Sequence, residues 1–338
     1  MSDFNSGNAN PVESSAVVLS NQKTTPVELM RKYNSFITFV VMLIVATVAT
    51  GGRFFTVSNT LTVVERASII GIVALGQGLV ILTGAIDLSV NATMNIAFTS
   101  IAVLGQGGMP YGLAILVALG LGAVVGLVNG LLIVKTKIMA WLVTLSTMMI
   151  FNALALQWSG TIGLRFAGLQ EFINSLFGMD ASSSRYFAGI VWIVLGLIFA
   201  FILARTRFGL NIYCLGGGRR AAHLTGVHID TTQVVVYVVS GIMAAAAAVV
   251  LAYRVGTLNP TSADPYQLYS IAAVVLGGAV ITGGQGSAFG TFFGAMVLAM
   301  LTNVLNILMV NVYIQYAIMG VLLVLIVFIN LFLSRRSR

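Results

Sequence analysis

The sequence predicts an all-α polytopic membrane protein of about ten transmembrane helices. Of its 338 residues, 58% are hydrophobic and only 8% are charged, whereas a water-soluble domain carries about a quarter of charged residues. Mean hydropathy is +1.01. The apolar residues come in runs of about 20, the length that crosses a hydrocarbon core about 30 Å thick. They lack the short alternating segments of a membrane barrel.

Residues 1–34 are polar and rich in Ser, Asn and Thr, with no apolar core between a basic start and a small-residue cleavage site. They read as a disordered cytoplasmic tail and not as a signal peptide. The transmembrane domain, 35–333, divides into spans at 35–52, 66–83, 88–106, 111–134, 138–158, 187–204, 233–253, 269–283, 287–309 and 312–333. A basic tail, 334–338, follows. An even number of spans puts both termini on one side. If that side is the cytoplasm, it holds Lys23, Arg31, Lys32, Lys135, Lys137, Arg205, Arg207, Arg219, Arg220, Arg335, Arg336 and Arg338. Arg53, Arg66, Arg165, Arg185 and Arg254 remain outside, so the bias obeys the positive-inside rule.

Glu65 and Arg66 then stand at the outer mouth of the second span, where they can form an interfacial ion pair or meet a partner. The outer loops 159–186 and 254–268, the latter with Pro260, Asp264 and Pro265, are caps too short to be domains. Any domain that captures a substrate therefore belongs to another polypeptide. The inner loop 205–232 is the one long polar stretch of the second half, and its Lys-or-Arg charge is all positive.

Gly122, Gly126 and Gly130 recur every fourth residue in the fourth span, and Gly286, Gly290 and Gly294 in the ninth. That spacing puts each trio on one helix face, where missing side chains let backbones approach and pack in lipid. The alanines at 244–248 point the same way for the seventh span. Two breaks look alike: ILTGAIDLSVN at 81–91 and VITGGQGS at 280–287. Each reads as a helix ending at Thr-Gly and a new one capped by a polar side chain, Asp87 or Ser89 in the first, Ser287 or Gln285 in the second.

A carboxylate near a membrane interior must be capped, paired or wet. Asp87 therefore either caps the third span or lines a polar path with Gln77, Thr83, Ser89, Asn91 and Asn95. Asn129, Thr144, Ser146, Thr147, Asn152, Ser240, Asn303 and Asn306 read as interhelical hydrogen-bonding groups that also suit a path for an uncharged polar solute.

Several chemistries are excluded. Cys214 is the single cysteine, so no internal disulfide forms, and with two histidines it makes no metal-ligand cluster. No GxxxxGK[ST] loop occurs, so the chain does not hydrolyse ATP itself and needs no cofactor of its own. No nucleophile–base pair can be assembled on one side of the membrane, which argues against an enzyme. The formal charge of +8 reflects orientation in the bilayer, not nucleic-acid binding.

Five blocks together resemble the ribose-type, monosaccharide ABC importer permeases: IIGIVALGQGLVILTGAIDLSV (69–90), GLVNGLLI (126–133), TRFG (206–209), AAHLTGV (221–227) and AAVVLGGAVITGGQGS (272–287). With the span layout, the resemblance covers about 36–333. It implies a type II ABC importer-like permease bundle in the bacterial inner membrane that dimerises with a second permease copy. It also implies a cytoplasmic ATP-binding subunit, which binds the ATP, and a periplasmic or extracellular sugar-binding protein. By motif match, the helix docking on the ATPase lies at Gly217, Gly218, Arg219, Arg220, Ala221, Ala222, His223, Leu224, Thr225, Gly226 and Val227. Gly218, Arg219 and Arg220 replace the family's usual Asn and acids, which implies an acidic partner surface. Ala85 and Asn91 stand where the family has glycines. An ion-coupled secondary transporter, and an ABC permease for a branched-chain amino acid, a nucleoside or a signalling furanone, remain alternatives at this point.

Overall fold

The computed structural model describes residues 34–160, 163–180 and 183–335. The expected tail 1–34, apart from Asn34, lies outside the described residues, as do 336–338 of the basic tail. Thirteen α-helices follow in order: α1 (Asn34–Ala49), α2 (Val57–Leu82), α3 (Val90–Gln106), α4 (Tyr111–Thr136), α5 (Ala140–Ser159), α6 (Leu169–Phe177), α7 (Phe187–Arg205), α8 (Arg207–Gly217), α9 (Arg219–Leu224), α10 (Ile229–Val255), α11 (Asp264–Leu276), α12 (Ala288–Ile307) and α13 (Val312–Arg335). Six of them, α2, α4, α5, α7, α10 and α12, are long and apolar enough to cross a membrane. Shorter apolar stretches lie in α1 and α13, while α3 and α11 run only 17 and 13 residues.

Three boundaries differ from the sequence expectation for a common reason: polar residues sit inside helices. The second span begins at Val57, not 66, because the Thr56 hydroxyl caps the helix by accepting the Asn59 N–H at 3.3 Å. Glu65 and Arg66 thus lie just over two turns inside α2 and not at its mouth. The seventh span starts at Ile229 and includes Asp230, Thr231 and Thr232. The eighth moves at both ends, from 269–283 to Asp264–Leu276, since Asp264 and Pro265 open the helix and Gly277–Gly278 end it.

α2 is the axis of the bundle. Every residue from Ala67 to Leu82 is buried, as expected of a helix that is apolar on all sides. α10, α12, α11 and α7 surround it, and α3 is buried from Val90 to Ala102. The outer helices turn large apolar side chains outward, among them Val48, Met149, Phe201 and Phe328, a surface suited to hydrocarbon.

Among the described residues, α4 and α10 form the most extensive helix–helix contact. A Cβ on Gly122 would strike the Gly241 carbonyl oxygen, one on Gly126 that of Tyr237, and one on Gly130 would come within 2.8 Å of the Val234 Cα. Gly290 and Gly294 do the same for α12 against α11, where Gly277 and Ala273 carbonyls occupy the space. Gly286 is a correction. It stands outside α12, before the Ser287 cap, with φ +149°, and its neighbours are Ala279 and Leu82.

The two loops expected as separate outer caps are joined. Leu164–Arg165 (β1) pairs antiparallel with Thr257–Leu258 (β2), with Leu164 opposite Leu258. Tyr253 donates to Asn174 Oδ1 at 2.8 Å, and Glu65 reaches Arg185 at 3.3 Å and Arg254 at 3.2 Å. One carboxylate on α2 thereby ties down both loops.

Candidate functional site

The break between α2 and α3 is a closed polar knot. Asp87 Oδ1 accepts the Ser89 N–H at 2.9 Å and the Ser89 hydroxyl at 2.7 Å, while Oδ2 accepts the Ser240 hydroxyl at 3.0 Å. Ser89 Oγ in turn accepts from Asn129 Nδ2 at 2.8 Å, and Asn129 Oδ1 accepts from Thr147 at 2.6 Å. Asp87, Ser89, Asn129, Thr147 and Ser240 are all buried, so three donors replace the water that the carboxylate has lost. Leu88 N–H adds a bond to Thr144 Oγ1 at 3.1 Å. Ser89 occupies the cap position of α3 without capping it through its side chain; its hydroxyl is committed to Asp87 and Asn129. The knot ties α4, α5 and α10 to the start of α3.

The second break is a run of left-handed glycines: Gly278, Gly283 and Gly284 have φ of +87°, +92° and +76°, a region open to glycine at little cost. Ser287 then caps α12 by accepting the Gly290 N–H at 3.0 Å. The two breaks, read in the sequence as a faint internal echo, meet in space. Gly284 N–H donates to the Leu82 carbonyl at 2.9 Å, and Gly84, itself at φ +80°, faces the Thr282 carbonyl. Gly216, the penultimate residue of α8, is wedged against both Leu82 and Gly284, and the Tyr213 hydroxyl donates to the Gly286 carbonyl at 2.9 Å.

From this junction α8 leads to α9 through Gly218, whose φ of 154° turns the chain. Ala222 anchors α9, being only 1% exposed, and its carbonyl accepts the Val227 N–H at 3.1 Å after a left-handed turn at Gly226. Arg219 bonds Gln233 Oε1 on α10 at 2.6 Å. Arg220, Ala221, His223 and Thr225 are exposed, and Leu224 is 81% exposed. An open cleft of ≈ 630 Å³ lies beside them, lined by Arg219, His223, Gly226, Val227 and Asp230 among others. α9 therefore presents a cationic surface from which Leu224 protrudes, and its base is fixed by backbone contacts.

The remaining residues expected to line a polar path divide. Gln77 is fully buried in α2, with neither amide atom hydrogen-bonded among the described residues. Thr83 ends α2, its hydroxyl donating to its own Val80 carbonyl at 2.7 Å. Asn91 and Asn95, one turn apart on α3, reach a residue read from the sequence only as part of an outer loop. Asn95 Nδ2 donates to Asp264 Oδ1 at 2.9 Å and to Asn152 Oδ1 at 2.9 Å, and Asn91 Nδ2 lies 3.4 Å from Asp264 Oδ1. The Ala263 N–H closes the set on Asn95 Oδ1 at 3.1 Å. Asp264 escapes a hydropathy reading because Asp-Pro beside Asn-Pro looks like a turn; the signal available was Pro265 as a helix-opening residue.

Among known proteins, residues 59–327 match the family model described as branched-chain amino acid transport system / permease component. The ribose import permease protein of Bacillus subtilis (strain 168) is 33% identical over 307 residues, 89% of this chain and 93% of that protein. The fructose import permease protein of Rhizobium meliloti is 32% identical, covering 87% of this chain and 83% of its own. The xylose transport system permease protein of Escherichia coli (strain K12) is 27% identical, covering 88% and 91%. No solved structure matches the chain significantly.

Proposed function

This chain belongs to the branched-chain amino acid transport system / permease component family, and on that premise we propose that it is the membrane-spanning subunit of an ATP-driven, binding-protein-dependent importer of a monosaccharide. The observation that carries the reading is similarity along nearly the whole length to permeases named for ribose and fructose import. It is a transport subunit and not an enzyme. Its partners in this reading are a cytoplasmic ATP-binding subunit, a sugar-binding protein on the other side and a second permease copy. In this reading α1, α3 and α13, with the half-span α11 that begins inside the bundle, complete the ten spans, and both termini face the cytoplasm.

The family description names branched-chain amino acids, which gives a second reading. Such a cargo presents an ammonium group and a carboxylate as well as an apolar side chain. The cluster of Asp264 with Asn91, Asn95 and Asn152 offers acceptors and amides, which hold hydroxyls but also an ammonium group, so it is the similarity to permeases named for sugars that favours the sugar reading.

In mechanism, the exposed face of α9 docks on the ATP-binding subunit, with Leu224 as the apolar anchor and Arg220 supplying charge for an acidic groove. Movement of α8 and α9 reaches the bundle at Gly216, which touches both helix breaks. A tilt of the arm thus acts on α2 and α12 at once. The path runs along α3 past Asn91 and Asn95, while Asp87 and Ser89 brace its inner end. ATP-dependent uptake of ribose, fructose, allose and xylose by the complex in proteoliposomes tests the reading. Uptake of at least one of them, and of no branched-chain amino acid, is expected. Uptake of leucine alone would overturn it.

A further inference from the structure

Asp264 is an exposed carboxylate in a place where lipid cannot be its neighbour. Its partner Asn95 stands 11 positions before the end of α3 at Gln106, about 16 Å along the helix. Gln106 itself bonds the Arg165 carbonyl in the outer cap at 3.1 Å. Asp264 therefore lies deep in the bundle, where α11, too short at 13 residues to cross by itself, begins. A charge exposed at that depth faces water or a bound solute.

The donors and acceptors around it are unequally used. Both Asn95 amide hydrogens and its oxygen are taken. Asp264 Oδ1 receives two donors, whereas Oδ2 has no hydrogen-bond partner among the described residues. Asn91 is 3% exposed, and its Oδ1 is buried without a partner among the described residues, a state that carries a desolvation penalty unless something fills it. Two acceptors, one of them charged, thus stay unsatisfied side by side. A neutral polyol, each of whose hydroxyls donates one proton, complements them; an anion is repelled.

We propose that Asp264, with Asn91, Asn95 and Asn152, forms a hydroxyl-binding station in the translocation path that holds and selects the sugar between its release outside and its exit inside. The proposal rests on the sugar-import reading and adds a site to it. Asn152, on the largely exposed helix α5, completes the station.

The test uses the whole importer in proteoliposomes, saturated with its sugar-loaded binding protein, and reads sugar moved per ATP hydrolysed for the four sugars above. Asp264→Ala is expected to lower that ratio about tenfold, the worth of one charge-assisted hydrogen bond. ATP hydrolysis stimulated by the binding protein stays near wild type, and Asp264→Asn falls between. If Asp264→Ala does not assemble, Asn152→Leu decides, with an expected loss of about threefold and a changed ranking of the sugars. An unchanged ratio and ranking in the variants that assemble overturns the station. So does transport that requires sodium, which would make the cluster a cation site. If the wild-type complex moves no sugar, the import reading itself has failed.

Discussion

Gly216 sits directly against the carbonyl oxygen of Leu82, with no room for a side chain between them. The same oxygen accepts the Gly284 N–H at 2.9 Å. A residue at the base of the α8–α9 arm therefore touches the end of the central helix and the break before α12 through backbone alone. Backbone contact of this kind transmits displacement with little slack, because no side chain can change rotamer to absorb it.

Gly216→Ala is expected to force these three segments apart. Its methyl group has no space, so a loss of about 1–3 kcal/mol, typical of overpacking, should appear as a lower melting temperature in detergent. ATP hydrolysis should fall out of step with transport. Gly217→Ala is the control for stability, since nothing among the described residues lies within 4 Å of its added carbon, and it should melt as wild type does.

Asp87→Ala leaves the Ser89 N–H and the Ser89 and Ser240 hydroxyls without their acceptor. Breaking a buried set of this kind costs about 3–5 kcal/mol, and Asp87→Asn, which keeps one acceptor oxygen, costs less. Thermal denaturation and yield of the assembled complex should rank wild type above Asn above Ala. Normal assembly of both variants with transport lost would instead make Asp87 a path residue.

Gly126→Leu should separate α4 from α10, because the position faces the Tyr237 carbonyl. Reduced expression and a melting point lowered by several degrees are expected, consistent with a cost of about 1–3 kcal/mol. Gly120→Leu, on the open side of the same helix, should be neutral.

Glu65→Gln removes the charge that pairs with Arg185 and Arg254. Glu65 is 14% exposed and Arg185 37%, so screening trims the effect to about 1 kcal/mol. Limited proteolysis of the 159–186 loop reports it, with faster cleavage expected in the variant.

Hydropathy located the helices wherever polar side chains fall at their ends. The spans 111–134 and 187–204 reappear as Tyr111–Thr136 and Phe187–Arg205. It failed where charge is carried inside a helix, as with Glu65, whose partners Arg185 and Arg254 lie more than a hundred residues away. It failed again at Asp264, which pairs with Asn95 at a separation of 169 residues. A run of apolar residues reports burial, not pairing, so neither contact was visible locally. The glycine breaks were readable one at a time, but their meeting at Gly216 was not, because backbone-to-backbone contact leaves no trace in side-chain chemistry. Arg219 was read as part of the docking face, yet it also bonds Gln233. Arg220 and Leu224 are accordingly the cleaner probes of that face.

The most direct measurement is recovery of an ATP-binding subunit with this chain after gentle detergent extraction from its native membrane, comparing wild type with Arg220→Glu and Leu224→Asp. Co-purification with wild type and its loss in both variants, with the permease still folded by its melting curve, is the predicted result. An ATPase that stays bound to both variants would contradict the docking arm. The absence of any ATPase from the folded wild-type preparation would contradict the importer itself.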